Sequence, residues 1–81
     1  MSIKVNILKV IKTVEIDKIS YLILTMIYGL KGNRPKTVEE VSQETAITRS
    51  MIYHRLRKMK TLGLIDENRR IAKIEFTTDM E

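Results

Sequence analysis

Residues 48–65 read TRSMIYHRLRKMKTLGLI, a stretch with five Lys or Arg residues and no Asp or Glu. Thr48 is a good N-cap, and helical periodicity then runs to about Leu62, where Gly63 ends it. On a helical wheel Leu56 and Met59 fall within about 40° of Ile52, a narrow seam that belongs in a core. Met51, Arg55 and Leu62 flank the seam on one side, Tyr53 and Lys60 on the other. The opposite face holds Ser50, His54, Arg57 and Thr61, with Lys58 beside them. An ordinary solvated helix mixes signs, because i,i+4 pairing and solubility both favour mixing. From Ala46 to Ile65 there is no carboxylate at all. That suits a helix laid against a polyanion, and the plain alternative is a lysine-rich surface helix.

Upstream, Thr37-Val38-Glu39-Glu40 is a T-x-x-E capping box that opens a short helix with Val38 and Val41 inward, ending near Thr45. A tight break at Thr45-Ala46-Ile47 separates it from the basic helix. Further back, Asp17 is placed to cap another helix, with Ile16 and Tyr21 spaced as a hydrophobic staple. Ile19, Leu22, Ile23, Met26, Ile27 and Leu30 make its apolar stripe, and Tyr21, Leu24 and Tyr28 widen the stripe beyond one face. Gly32 and Pro35 are expected to stop that helix. A helix apolar most of the way round needs cover on two sides, and a short monomer has little material for the second. Dimerisation through this helix and the N-terminal segment is therefore expected.

Residues 3–14 carry two periods. Ile3, Val5 and Ile7 alternate as in a strand, whereas Ile3, Ile7, Val10, Ile11 and Val14 fit one helix face with Asn6, Lys9, Lys12 and Thr13 opposite. The helical template collects more of the segment and is preferred, although the β-branched content favours a strand. Beyond Gly63 the period becomes 2. Leu64–Asp66 and Ile71–Phe76 read as two short strands around the turn Glu67-Asn68-Arg69-Arg70, with Ala72, Ile74 and Phe76 on one face. The expected division is an N-terminal segment at 1–16, a folded domain at 17–76 and a polar tail at 77–81.

Eighty-one residues make one domain with a modest core. There is no cysteine, hence no disulfide and no thiolate metal site. The net charge of +5 favours a polyanionic partner. No apolar run is long enough to span a membrane, and Lys4, Asn6, Lys9 and Lys12 interrupt what a signal peptide would keep apolar, so an intracellular, cytoplasmic protein is expected. Catalysis finds no support: no glycine-rich phosphate loop, no paired carboxylates in an apolar frame and a single histidine. His54 has no Cys, Asp or Glu at i±3 or i±4, which argues against a metal role. Met26, Met51 and Met59 read as packing residues rather than a ligand pocket. No cofactor and no small-molecule effector is expected.

A short capped helix, a tight turn and a longer basic helix ending in KMKTLGLI before a hairpin resemble the winged helix-turn-helix family. Many bacterial and archaeal members end the recognition helix with a leucine, two or three polar residues and Gly-Leu-Ile. Here Met59 takes the leucine place and Gly63-Leu64-Ile65 match. The likeness covers residues 17–76 and extends in a general way to antibiotic- and arsenical-resistance repressors and to small regulators of archaea and their viruses. Two departures stand out: no glycine lies in the turn between the second and third helices, and the wing turn is short.

The resemblance implies a mainly α fold with a small β-hairpin (α+β), three core helices plus a wing. It implies double-stranded DNA as partner, the helix at about 48–62 in the major groove and the wing at about 66–71 on the backbone or minor groove. Carried across residue by residue, Thr48, Arg49, Ser50, Tyr53, His54 and Arg57 would meet bases or adjoining phosphates, and Lys58, Arg69 and Arg70 the backbone or groove. Lys31, Arg34, Lys36 and Lys60 would serve flanking phosphates, with plain solubility as the alternative for the loop cations Lys31, Arg34 and Lys36. The expected function is sequence-specific transcriptional regulation by a homodimer, as a repressor. A winged-helix adaptor for an acidic protein surface and a non-specific nucleic-acid binder remain open.

Overall fold

A computed structural model describes residues 2–77. Strands β1 (Ser2–Ile7) and β2 (Lys12–Asp17) lead into helices α1 (Lys18–Tyr28), α2 (Val38–Thr45) and α3 (Arg49–Thr61), and β3 (Ile74–Thr77) returns to the sheet. The sheet order is β2-β1-β3, antiparallel throughout. Three helices with a three-stranded antiparallel sheet make the α+β winged helix-turn-helix fold expected above. Of the polar tail, Thr77 closes β3, and 78–81 lie outside the described residues.

The preference for a helix over 3–14 is corrected: this segment is a β-hairpin. Val5, Ile7, Val14 and Ile16 are buried, and the alternate positions form a polar outer face. There the Thr13 hydroxyl donates to Asn6 Oδ1 at 2.7 Å, and Asn6 Nδ2 donates to Thr77 Oγ1 at 2.9 Å. The strand wins because it accommodates the β-branched residues and supplies the cover that α1 needs. Ile23 and Leu24 of α1 are fully buried in one cluster with Val5 and Ile7 of the sheet, Val41 of α2, and Ile52 and Met59 of α3. The second side of α1 is thus covered within one chain, so its apolar girth no longer calls for a dimer. Tyr21 meets Phe76 of β3 edge-on, with ring centroids 5.0 Å apart.

Helix α1 ends at Gly29, not Gly32. Gly29 takes the left-handed conformation with φ 67°, and a Cβ there would lie 2.7 Å from the Pro35 ring. The Lys36 amide donates to the Met26 carbonyl, which folds the loop back onto the helix end. The capping box of α2 is as expected: Thr37 Oγ1 accepts from the Glu40 amide, and Glu40 Oε1 accepts from the Thr37 amide.

The glycine-free turn between α2 and α3 is made by Ala46, with φ 65°. A left-handed alanine costs about 1–2 kcal/mol. Side chains brace it: the Ser42 hydroxyl donates to the Ile47 carbonyl at 2.6 Å, and Thr45 Oγ1 accepts from the Ile47 amide. The wing is also shorter than expected. Only the bridge Ile65–Ile71 joins its two arms, and β3 pairs with β1, placing Ile74 opposite Ile7 and Phe76 opposite Val5. That pairing aligns half-buried Ile74 and Phe76 with the buried Ile7 and Val5.

Asp17 joins β2, α1 and α3. Its Oδ1 accepts from the Ser20 amide at 2.8 Å as the α1 N-cap, and its Oδ2 pairs with Arg55 of α3. Burial pushes this carboxyl up, but the Ser20 hydrogen bonds and the Arg55 charge outweigh it and hold the pKa at about 2, below the ordinary 3.8. A depressed carboxyl stabilises the fold above its unfolded pKa and loses that contribution as pH falls through the folded value. Wild-type stability is therefore expected to fall between pH 3.8 and about 2 more steeply than that of Asp17→Asn, which keeps the cap acceptor and loses the charge. Urea midpoints across this range check it, and parallel curves for the two proteins would refute the pairing. Asp17→Ala should cost about 1 kcal/mol at neutral pH through the cap alone.

Candidate functional site

Helix α3 is held with one face inward by Ile52 and Met59, both fully buried, and by half-buried Leu56. Arg55 joins this fixed set, because its side chain is engaged by Asp17. That leaves Ser50, His54, Arg57 and Thr61 facing outward, all exposed, as the helical wheel anticipates. The Thr48 hydroxyl accepts from the Met51 amide at 3.2 Å, so it caps α3 and keeps its proton to donate.

Several of the expected residues converge on the side of α3 toward the wing. Tyr53, Arg57 and Lys60 line a cleft with Tyr28, Leu56, Ile65, Asp66, Glu67 and Arg69. Arg49 and Lys36 line an adjoining hollow that shares Tyr53 and Arg69 with the first. Arg69 thus stands between α3 and the wing. Five cations and a tyrosine hydroxyl thus lie along one surface, a set of donors able to hydrogen-bond an anion.

Other expected contacts lie elsewhere. Lys58 is on the far flank of α3, around a small hollow with Glu15, Asp17 and Ser20. The Lys31 ammonium sits 5.4 Å from the centre of the Phe76 ring, a cation–π contact on the sheet side. Arg34 and Arg70 are exposed in their loops.

Two features of the site are not visible in the sequence pattern. Acids do reach it, since Asp66 and Glu67 line the cleft. Asp66 is engaged internally, where its Oδ1 accepts from the Asn68 and Arg70 amides, both at 2.8 Å, and closes the wing turn. The Tyr28 hydroxyl, at the end of α1, donates to the Arg69 carbonyl at 3.0 Å and ties the turn to the helical body. Burial pushes the Tyr28 phenol up, against the Arg69 charge and with that of Asp66, so it stays a protonated donor. A D-E-N-R-R run after Gly-Leu-Ile signals a turn, but nothing in the sequence couples it to Tyr28. Among the described residues no group of three or more His, Cys, Asp or Glu converges as a metal site would require.

The family model for bacterial regulatory proteins of the arsR family matches residues 24–67, from within α1 through α2 and α3 into the wing turn, more than half of the chain. No curated protein and no solved structure matches it.

The Tyr28 tie predicts a local effect. One net hydrogen bond is worth about 1 kcal/mol, so Tyr28→Phe should speed amide exchange at Asn68, Arg69 and Arg70 roughly fivefold and leave α3 amides unchanged. Equal acceleration in the wing and in α3 would mean that the hydroxyl supports the whole fold instead.

Proposed function

The chain belongs to the arsR family of bacterial regulatory proteins, DNA-binding transcription regulators, and from that premise we propose that it reads a specific double-stranded operator as a homodimeric repressor. The observation that carries this reading is the outward face of α3: Ser50, His54, Arg57 and Thr61 without a carboxylate, beside Arg49, Lys60 and Arg69. A helix of 13 residues is about 20 Å long and fits the major groove.

In this reading Arg57 and Arg49 offer bidentate donors to guanine O6 and N7, and Ser50, Tyr53 and His54 make permissive contacts to bases or sugars. Thr48 donates to a phosphate at the start of α3. Arg69, held by Tyr28 and Asp66, meets the backbone or minor groove beside the wing, with Arg70 beyond it. Lys36 and Lys60 take phosphates on the wing side, Arg34 takes one from its exposed loop, and Lys58 takes them on the opposite flank. One reading head of this size buries too little surface for tight specific binding. Two copies on an inverted repeat, with half-sites one helical turn apart, supply the rest. Occupying promoter DNA then excludes polymerase.

Selection from a randomised duplex library at near-physiological salt, with the protein's mass in solution recorded alongside, tests this reading. An inverted repeat and a dimer mass are expected; no enrichment over bulk DNA would leave a non-specific binder or an adaptor. On the selected site, Arg57→Ala should cost about 1–3 kcal/mol and relax specificity at one position. An equal loss on every sequence would make Arg57 a phosphate contact. Affinity should fall steeply with salt, since each neutralised phosphate contributes about 0.9 to the log–log slope.

A further inference from the structure

We propose that the turn between β1 and β2 is a second DNA-contacting element: Leu8, Val10 and Ile11 enter the minor groove beside the half-site, and Lys9 and Lys12 take the phosphates on either side. The proposal rests on the DNA-binding reading above and adds a surface to it.

The turn is built against ordinary turn chemistry. Ile7 pairs with Lys12, and the four residues between them, Leu8-Lys9-Val10-Ile11, include no Gly, Asn, Asp or Pro. Leu8 is 49% exposed, Val10 61% and Ile11 92%. Single exposed apolar residues are commonplace, but three at one tip are not.

Ile11 is also left-handed, with φ 51°, which a β-branched residue rarely adopts. Three other non-glycine residues share that region, Lys31, Ala46 and Arg69. Hydroxyls of Ser42 and Thr45 brace the turn at Ala46, and Asp66 and Tyr28 brace the turn at Arg69. The Lys31 ammonium lies over Phe76. Ile11 has no such brace: among the described residues no side chain hydrogen-bonds to the Leu8–Ile11 turn, and only the Leu8 amide is tied, to the Lys73 carbonyl. Unbraced strain at an exposed apolar tip points to a surface shaped for an occupant.

Placement and charge say which occupant. Ile7 lies opposite Ile74, and the Leu8 amide bonds to Lys73, so this turn and the wing leave the sheet at the same end. A Cβ on Gly63, just past α3, would meet Ile7 Cδ1 at 3.6 Å, which puts the base of the turn at the C-terminal end of the recognition helix. From Ser2 to Val14 there is no acidic residue. A second copy docked on this tip would set Lys9 and Lys12 against their own kind, whereas a duplex offers phosphates at the rim and apolar contact within the groove. Apolar wedges of this type part base steps where they enter.

The test uses the full chain and the double variant Val10→Ser, Ile11→Ser, whose side chains lie outside the core. On the selected duplex, hydroxyl-radical footprinting and the fluorescence of 2-aminopurine at flanking steps are read for both proteins. Wild type should protect a flanking minor groove and brighten the probe there. The variant should lose both, with affinity down roughly tenfold and protection under α3 intact. An identical footprint and probe signal for the two proteins overturns the inference and leaves the DNA reading standing. It is equally overturned if the footprint is unchanged and the variant instead loses its dimer mass, or its binding to vesicles of phosphatidylserine and phosphatidylcholine. Wild type that binds no duplex overturns both readings.

Discussion

The structure depends on covering α1 from two sides. Its apolar surface exceeds one face, and burial of such surface is the largest favourable contribution open to a chain this short. The hairpin of β1 and β2 covers one side, and α2 and α3 cover the other. Once α1 is enclosed, α3 has no rotational freedom left, since Ile52 and Met59 are fully buried and Arg55 is tied to Asp17 at the mouth of the sheet. The face that α3 shows outward is therefore a consequence of core packing, not of the surface residues themselves.

Charge is separated by the same set of contacts. Four acids near the helices have structural partners: Glu15 accepts from the Ser2 hydroxyl, Asp17 from the Ser20 amide and Arg55, Glu40 from the Thr37 amide, and Asp66 from two wing amides. Glu39 and Glu40 also lie in the first turn of α2, where the helix dipole favours them. The outward face of α3 carries only cations and neutral donors because no carboxylate lies between Ala46 and Ile65, while Glu39 and Glu67 line the hollows beside it. Such a face costs the free domain some self-repulsion, which a polyanionic partner relieves.

The parts legible in sequence are those governed by local rules. Asp17, Thr37 and Thr48 cap the helices they are expected to cap, because a cap is a contact within three residues. The seam of α3 is legible because its period is intrinsic to the helix, and with it the outward set Ser50, His54, Arg57 and Thr61. The N-terminal segment is not, since residues 3–14 satisfy both periods and the choice lies with a distant element, the uncovered side of α1. Gly32 is the expected stop, yet α1 ends at Gly29, where the Pro35 ring packs, a contact six residues on that the turn composition does not reveal. The two-strand reading of the wing is legible only in part: Ile71 does bridge Ile65, but the strand at 74–77 pairs with β1, which is not evident as a strand. Arg55 and Tyr28 act across 38 and 41 residues, separations that no local pattern encodes.

Those two long-range contacts sort the cations into those that hold the site and those free to use it. Arg55 and Arg57 have the same side-chain chemistry, yet two residues turn a helix by about 200°, and only Arg55 faces Asp17 and is committed to it. Arg69 and Arg70 are adjacent, yet only Arg69 is aimed back at Tyr53 and Arg57, because Tyr28 grips its carbonyl. Counting basic residues along 48–70 therefore overstates the binding surface. What fixes it is which of them the fold has already engaged, and that is decided by α1, whose ends carry the two anchors, Asp17 and Tyr28.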